Sequence, residues 1–380
     1  MIRIFLAIII LASLSPPSRA DQPQKNQSRL ILVTIDGLRW QELFRGADPE
    51  LVSDSKYNHD QEEALTPFLK NDDRAATLMP FMTNVIGNDG VIIGNRDAGS
   101  CARVTNAWWF SYPGYNEILT GKADDNINSN ASIDNPNITF LEWLNGQNEF
   151  AKSVYAFGSW DAFPAIINAN RSHLPVNAGF MPLDGNPSAE LDVLNRLQGE
   201  VAHPFDTVRH DAFTHEFSRY TMRTKAPRVL YIAYGETDDF AHEGRYDQVL
   251  YSAQRTDKFI RELWTAVQAD PQWEGHTTMI ITTDHGRGQT PKEAWQHHAS
   301  PLATQGYLKS LNTYPDGIVG SDAVWMAAIG PNINPSAGKA YTMAHCATSS
   351  QVAATALKAL GLNWQDFDPT IGKPLDVFKH

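Results

Sequence analysis

Six short apolar runs, separated by helical or polar sequence, constrain this 380-residue chain more than any other feature. They cover residues 30–35, 91–93, 153–157, 229–234, 279–283 and 324–329. Most are continuous rather than alternating, the pattern of strands buried on both faces. Helical periodicity lies between and after them. Residues 246–268 place Val249, Ala253, Ile260, Trp264 and Val267 on one face. Residues 349–360 place Val352, Ala356 and Leu360 inward, with Gly361 as the stop. Strands alternating with helices predict an α/β fold with a mostly parallel sheet. With 42% hydrophobic and 19% charged residues, there is enough apolar material for one large core and too little charge for a disordered chain. Residues 124–137, rich in Asp, Asn and Ser, read as loop. Residues 42–74 read as polar and irregular, and residues 286–320 as a long connection.

In open α/β sheets, ligands bind beyond the carboxyl ends of the strands. The residues just beyond each apolar run are therefore informative. Residues 31–35 lead into Asp36-Gly37. Residues 229–234 lead into Gly235-Glu236-Thr237-Asp238 and then His242, and residues 279–283 into Asp284-His285-Gly286. Taken singly, each ending has a plain explanation, since Asp after a strand is a common turn former or helix cap. Three carboxylates and two imidazoles delivered to one sheet edge are harder to explain as turns. Mixed oxygen and nitrogen donors suit zinc better than manganese or iron. The donors outnumber what one tetrahedral ion needs, so the pattern points to two ions roughly 3.5–4 Å apart.

A nucleophile is suggested by Ser111-Tyr112-Pro113-Gly114-Tyr115. Pro113 fits the first turn of a helix and Gly121 its end. Ser111 then stands at a helix N-terminus, where free N–H groups and the dipole favour an anion. That position alone fits an N-cap equally well; the metal-type residues elsewhere favour the nucleophile. Ser100 and Thr105 are alternative hydroxyls without comparable context.

The ends and the surface bound the setting. Arg3, the apolar residues 4–14 and Ser18-Arg19-Ala20 form an export signal over residues 1–20, followed by one catalytic domain over residues 21–380 with loop insertions. The mature product is expected outside the cytoplasm, secreted or periplasmic, with no transmembrane segment. The formal net charge is −12, and loss of Arg3 and Arg19 makes it more negative. Such a surface disfavours nucleic-acid polymers, but not a small phosphate ester drawn in by bound metal. Whether Cys101 and Cys346 pair is left open. Trp108, Trp109 and Tyr112 would be able to stack on a base or sugar, although such clusters are commonly core.

Four motifs, in chain order, resemble the alkaline phosphatase superfamily, and most closely its type I phosphodiesterase/nucleotide pyrophosphatase branch. They are Val33-Thr34-Ile35-Asp36-Gly37, Ser111-Tyr112-Pro113 through Thr120-Gly121, Asp238 with His242, and Thr283-Asp284-His285-Gly286. The resemblance implies a doubly wound, mostly parallel sheet flanked by helices, and two Zn2+ ions. By position, Asp36, Ser111, Asp284 and His285 would hold one ion, and Asp238, His242 and a later histidine the other. His298 is chosen for that role over His297 and His345, because Trp295-x-x-His298 looks closest to the family pattern. Relatives bind a phosphoryl oxygen through an Asn after the Thr-Gly. Asn130 is taken for this over Asn126 and Asn128. Two departures stand out. The diesterases usually carry Thr-Phe-Pro-Asn where this chain has Ser-Tyr-Pro-Gly, and sulfatases carry an Arg where this chain has Tyr115. The activity implied is hydrolysis of phosphate mono- or diesters through a phosphoserine. The alternatives are a sulfate or phosphonate ester hydrolase, a phosphotransferase, or a non-catalytic binding protein of the same fold.

Overall fold

The run at residues 29–35 is buried along its whole length, and it forms the central strand of the molecule. A computed structural model describes residues 27–379 except residues 60, 61 and 186, so the export signal read at residues 1–20 lies outside the described residues. The strands are β1 (Arg29–Ile35), β2 (Val91–Ile93), β3 (Ala102–Arg103), β4 (Val154–Gly158), β5 (Val176–Ala178), β6 (Val229–Tyr234), β7 (Thr277–Thr282), β8 (Ala323–Val324), β9 (Met326–Ile329) and β10 (Ala347–Thr348). The helices that matter for the site are α1 (Ser111–Thr120), α2 (Asp211–Lys225), α3 (Glu236–His242), α4 (Tyr246–Ala269) and α5 (Val352–Ala359). Seven strands form one sheet in the order β2-β9-β7-β1-β6-β4-β5. β1 runs parallel to both β6 and β7, and β4 runs parallel to β6 and β5. Only β9 is reversed, pairing antiparallel with β7 and β2.

Alternation along β1 divides two cores. Leu30 and Leu32 face a cluster that includes Tyr115, Ile118 and Leu119 of α1 and Val352 and Ala356 of α5. Ile31, Val33 and Ile35 face the opposite cluster, with Phe217 of α2 and Val249, Ala253, Ile260 and Val267 of α4. A strand covered on both faces buries every side chain, at roughly 1.5–3 kcal/mol for each large aliphatic one. That explains why the sequence runs continuously apolar there.

Some expectations need correcting. The apolar run at residues 324–329 is not one strand. Trp325 interrupts it, fully buried with Nε1 donating to the Leu38 carbonyl (2.9 Å). The chain passes there from β8 in a second, three-stranded sheet (order β10-β3-β8) to β9 in the large one. Trp264 packs half-buried against this core, beside the fully buried Leu263, which the periodicity left out. Residues 42–74 and 286–320 hold short helical turns, among them Pro49–Val52 and Pro301–Gln305. Cys101 and Cys346 form a disulfide next to β3 and β10. That answers the question the sequence leaves open.

Candidate metal centre

The C-terminal ends of β1, β6 and β7 are neighbours because these strands are parallel and adjacent. Asp36 therefore follows β1 next to the turn after β7, where Asp284 and His285 sit fully buried. The turn after β6 starts α3, which carries Asp238 and, one helical turn later, His242. Gly37 adopts φ +57°, and a Cβ there would lie 2.5 Å from Asp238 Oδ1 and 2.9 Å from Arg287 Nε. The close meeting of these strand ends thus requires glycine.

Four side chains converge on one point. His285 Nε2 lies 3.3 Å from Asp36 Oδ1, 3.4 Å from Asp284 Oδ2 and 3.3 Å from Ser111 Oγ. Each carboxylate has its other oxygen tied to the protein. Tyr115 Oη–H donates to Asp36 Oδ2 (2.9 Å), and the Gly37 amide donates to Asp284 Oδ1 (3.1 Å). The two oxygens that face His285, Asp36 Oδ1 and Asp284 Oδ2, are buried and lack any protein hydrogen-bond partner. Buried polar atoms are rarely left unpaired, and two carboxylate oxygens beside an imidazole lone pair suit a divalent cation. His285 Nδ1 donates to the Gly286 carbonyl (2.9 Å), which turns the Nε2 lone pair inward.

A second group lies against the first. His242 Nε2 is 3.2 Å from Asp238 Oδ2 and 2.9 Å from His298 Nε2, and His298 Nε2 is 3.6 Å from Asp238 Oδ1. His298 Nδ1 donates to the Trp109 carbonyl (3.3 Å), so its Nε2 also points inward. Two imidazole lone pairs that face each other beside a carboxylate repel unless a proton or a cation joins them. The His285 and His298 rings stack at 3.8 Å, and Asp238 Oδ1 is 3.6 Å from His285 Nε2, so the two groups are contiguous.

The electrostatics agree with cation binding. Burial, followed by repulsion from Asp238, raises the pKa of Asp36. Burial and the charge of Asp36 likewise hold Asp284 well above the carboxylate range. Burial opposes a charge on His285, but Asp284, Asp36 and Asp238 outweigh it and push its pKa up to about 9. Burial also opposes the charge of Asp238, which is nevertheless held well below the usual value by Arg287, His242 and His298. Crowded buried carboxylates that raise one another's pKa are relieved by bound positive charge. The residues present therefore fit bound divalent cations: Asp36, Ser111, Asp284 and His285 would hold one, and Asp238 and His298, with His242 beside them, would hold a second.

Ser111 is the first residue of α1, and Phe110 rather than Ser111 occupies the capping position. Its Oγ meets His285, not a helix amide. Gly114, one turn on, lies where a Cβ would come within 2.4 Å of the Asp284 carbonyl, so α1 approaches the end of β7 at backbone contact. Asn130 Oδ1 accepts from the Tyr112 amide (3.0 Å), which places this half-buried side chain beside Ser111. Asn126 instead bonds Asp124. Thr105 is engaged by Glu117, a buried carboxylate of α1 that also receives the Asn106 and Ser350 amides. His345 is exposed beside the disulfide, and His297 is half-buried with its ring 6.4 Å from that of His242. Tyr112 does not offer a stacking face: it is buried, and its hydroxyl donates to the Ile133 carbonyl.

Sequence reasoning missed Arg287. It is buried, and its guanidinium bonds both the Asp238 carboxylate and the Asp238 carbonyl, as well as the Gln296 carbonyl two residues before His298. Its place directly after Asp284-His285-Gly286 was the available signal. A third group, His215, Glu216 and Glu262, also has metal-type donors. Its members are already engaged, His215 by Tyr234 and Glu262, and Glu216 by Arg219.

The sequence matches a family model and the fold matches solved structures. The model of the family described as type I phosphodiesterase / nucleotide pyrophosphatase matches residues 98–360. Among solved structures, the alkaline phosphatase PafA superposes with a TM-score of 0.55 at 9% identity, covering 93% of this chain and 99% of that one. The lipoteichoic acid synthase LtaP from Listeria monocytogenes gives 0.51 at 10% identity, covering 89% and 72%. The phosphonate monoester hydrolase SpPMH from Silicibacter pomeroyi gives 0.50 at 14%, covering 92% and 76%. A 2,3-bisphosphoglycerate-independent phosphoglycerate mutase from Gracilaria tenuistipitata var. liui is 36% identical over 59 residues, 16% of this chain and 11% of that protein's length. The seven-stranded, mostly parallel sheet with helices on both faces is the alkaline phosphatase fold.

Proposed function

Because the chain belongs to the type I phosphodiesterase/nucleotide pyrophosphatase family, we propose that it is a metal-dependent hydrolase of phosphate mono- or diesters with Ser111 as the nucleophile. The observation that carries this reading is the convergence of Ser111 Oγ, Asp36 Oδ1 and Asp284 Oδ2 on His285 Nε2, with both carboxylate oxygens otherwise unpaired. When bound, two zinc ions would lower the pKa of the Ser111 hydroxyl and neutralise charge on the phosphoryl oxygens. Ser111 Oγ then attacks phosphorus, the P–O bond to the alcohol breaks, and the hydroxyl proton is accounted for in the departing alcohol. Water attacks the phosphoserine, releasing phosphate or a monoester and restoring the hydroxyl. Asn130 is oriented by the Tyr112 amide on its Oδ1, which frees its Nδ2–H groups to donate to a phosphoryl oxygen. Tyr115, at the position where sulfatases carry Arg, is buried and bonded to Asp36, which argues against a formylglycine mechanism.

We also infer export. The disulfide fits an oxidising compartment, and among the described residues no helix is long and apolar enough to cross a membrane. The mature N-terminus is then expected at or close to Asp21, which N-terminal sequencing of the secreted or periplasmic product checks.

The deciding experiment combines elemental analysis with a p-nitrophenyl ester panel: phosphate, bis-phosphate, phosphonate and sulfate, each with and without zinc. About two zinc ions per chain and turnover of a phosphate ester lost on chelation are expected. Full turnover by metal-free protein contradicts the proposal, and selective turnover of the sulfate or phosphonate ester moves it to the alternative substrates.

A further inference from the structure

The seven-residue helix α3 supplies both Asp238 and His242, yet a helix this short has little stability of its own. Its first amides have no partner within the helix, and Gly235 at the capping position has no side chain to offer. The missing acceptor comes from another element. Asp211, the first residue of α2 and only 1% exposed, accepts from the Gly235 amide through Oδ1 (2.8 Å) and from the Glu236 amide through Oδ2 (3.2 Å). Ser159 Oγ–H donates to the same Oδ1 (2.6 Å). Ser159 directly follows β4, and its amide donates to the Ala233 carbonyl of β6 (2.9 Å), so Asp211 is referenced to the rigid sheet. The neighbouring residue, His210, bonds Glu236 Oε1 through Nδ1 (2.7 Å), and Arg255 of α4 bonds Glu236 Oε2 (2.8 Å). Both the backbone and the first side chain of α3 are thus clamped from outside the helix.

We propose that Asp211 is a positioning residue for the Asp238/His242 half of the metal centre. This inference rests on the two-ion reading above. Asp36, Ser111, Asp284 and His285 hang on β1, α1 and the end of β7, and the hydrogen bonds of Asp211 reach none of them among the described residues. Loss of the clamp therefore acts first on the Asp238/His242 site and reaches the other only through α3 itself, whose Thr237 hydroxyl donates to the Asp36 carbonyl.

Asp211→Asn is nearly isosteric but diagnostic. Three donors meet this carboxylate, so in either orientation the amide of Asn turns an N–H toward another donor. The start of α3 must shift, and metal ligands tolerate displacements of only about 0.2 Å. Residues that support metal ligands from behind change affinity by about 10–100-fold. The test is zinc titration of the full mature protein, stripped of metal, against a chromophoric chelator. Wild type should take up two ions. Asp211→Asn should take up one with little change in affinity and the other about 10–100-fold more weakly. Ser159→Ala, which removes one donor but keeps the carboxylate, should weaken the same ion by a smaller factor, and it decides the question if Asp211→Asn does not fold. Wild type binding two ions with both affinities unchanged in the variants overturns this inference alone. Wild type binding fewer than two ions overturns the two-ion reading and this inference together.

Discussion

Ser111 illustrates how a single residue's role is decided by what its side chain touches. At a helix start it had two explanations, and its Oγ meets His285 Nε2 rather than a helix amide. Replacing it with Ala is expected to reduce turnover by about three powers of ten or more while the fold and the zinc content largely persist. A mere structural role would cost about 0.5–2 kcal/mol of stability with turnover nearly unchanged. Steady-state kinetics on the folded variant separates the two. Among the later histidines, His298→Ala should release one zinc ion and abolish most turnover, whereas His345→Ala, at an exposed position beside the disulfide, should do neither. Elemental analysis of the two variants checks this; the reverse pattern would remove His298 from the ligand set. Asp36, Asp238, Asp284 and His285 were legible because each lies at or just beyond the end of an apolar run, so one pattern marks both the strand and its ligand, whereas His298 lies in a long connection and was singled out by the family resemblance alone. Arg287 and Asp211 were not. The meaning of each depends on a partner far along the chain, about 50 and 24 positions away, even though Arg287 directly follows a motif.

At the scale of elements, continuous apolar runs located the central strands, and 3.6-residue periodicity located α4 and α5, because burial on two faces or on one stripe leaves its mark locally. The two- and three-residue strands β3, β5 and β10 carry no such mark, since their pairing is decided by partners far along the chain. Packing of α4 also carries a pH-dependent cost. Asp257 is 2% exposed and accepts the Phe81 and Met82 amides (3.0 and 2.8 Å). Burial pushes its carboxyl up to about 6 despite those bonds. With the folded value above the unfolded 3.8, the native state holds the proton longer. The favourable contribution is therefore complete below the unfolded value and is lost as pH rises through about 6. The loss is roughly 2–3 kcal/mol. The difference in melting temperature between wild type and Asp257→Asn, measured at pH 4.5 and at pH 7.5, should change by the equivalent of about 2 kcal/mol, since part of the contribution is already lost at pH 4.5. A difference independent of pH would show that Asp257 titrates alike in the folded and unfolded chains.

For the whole molecule, the Cys101–Cys346 bond spans 245 positions and joins the segments that enter the parallel pair β3 and β10. Closing so long a loop restricts the unfolded chain, and removing the bond through Cys101→Ser with Cys346→Ser should cost roughly 2–5 kcal/mol. Thermal melts of the double variant measure it, and an unchanged melting temperature would mean that the bond adds no net stability. The same bond makes the chain from residue 101 to residue 346 a covalent ring, and Ser111, Asp238, His242, Asp284, His285 and His298 all lie on it, with Asp36 alone outside. A protease that cuts an exposed ring loop, such as the one around Ile133, 68% exposed, opens the ring without releasing a fragment. The nicked enzyme should migrate as one full-mass species on a non-reducing gel and as two pieces only after reduction. An enzyme released among proteases outside the cell would thus survive a first cut with six of its seven candidate metal-binding side chains still on one covalently joined molecule.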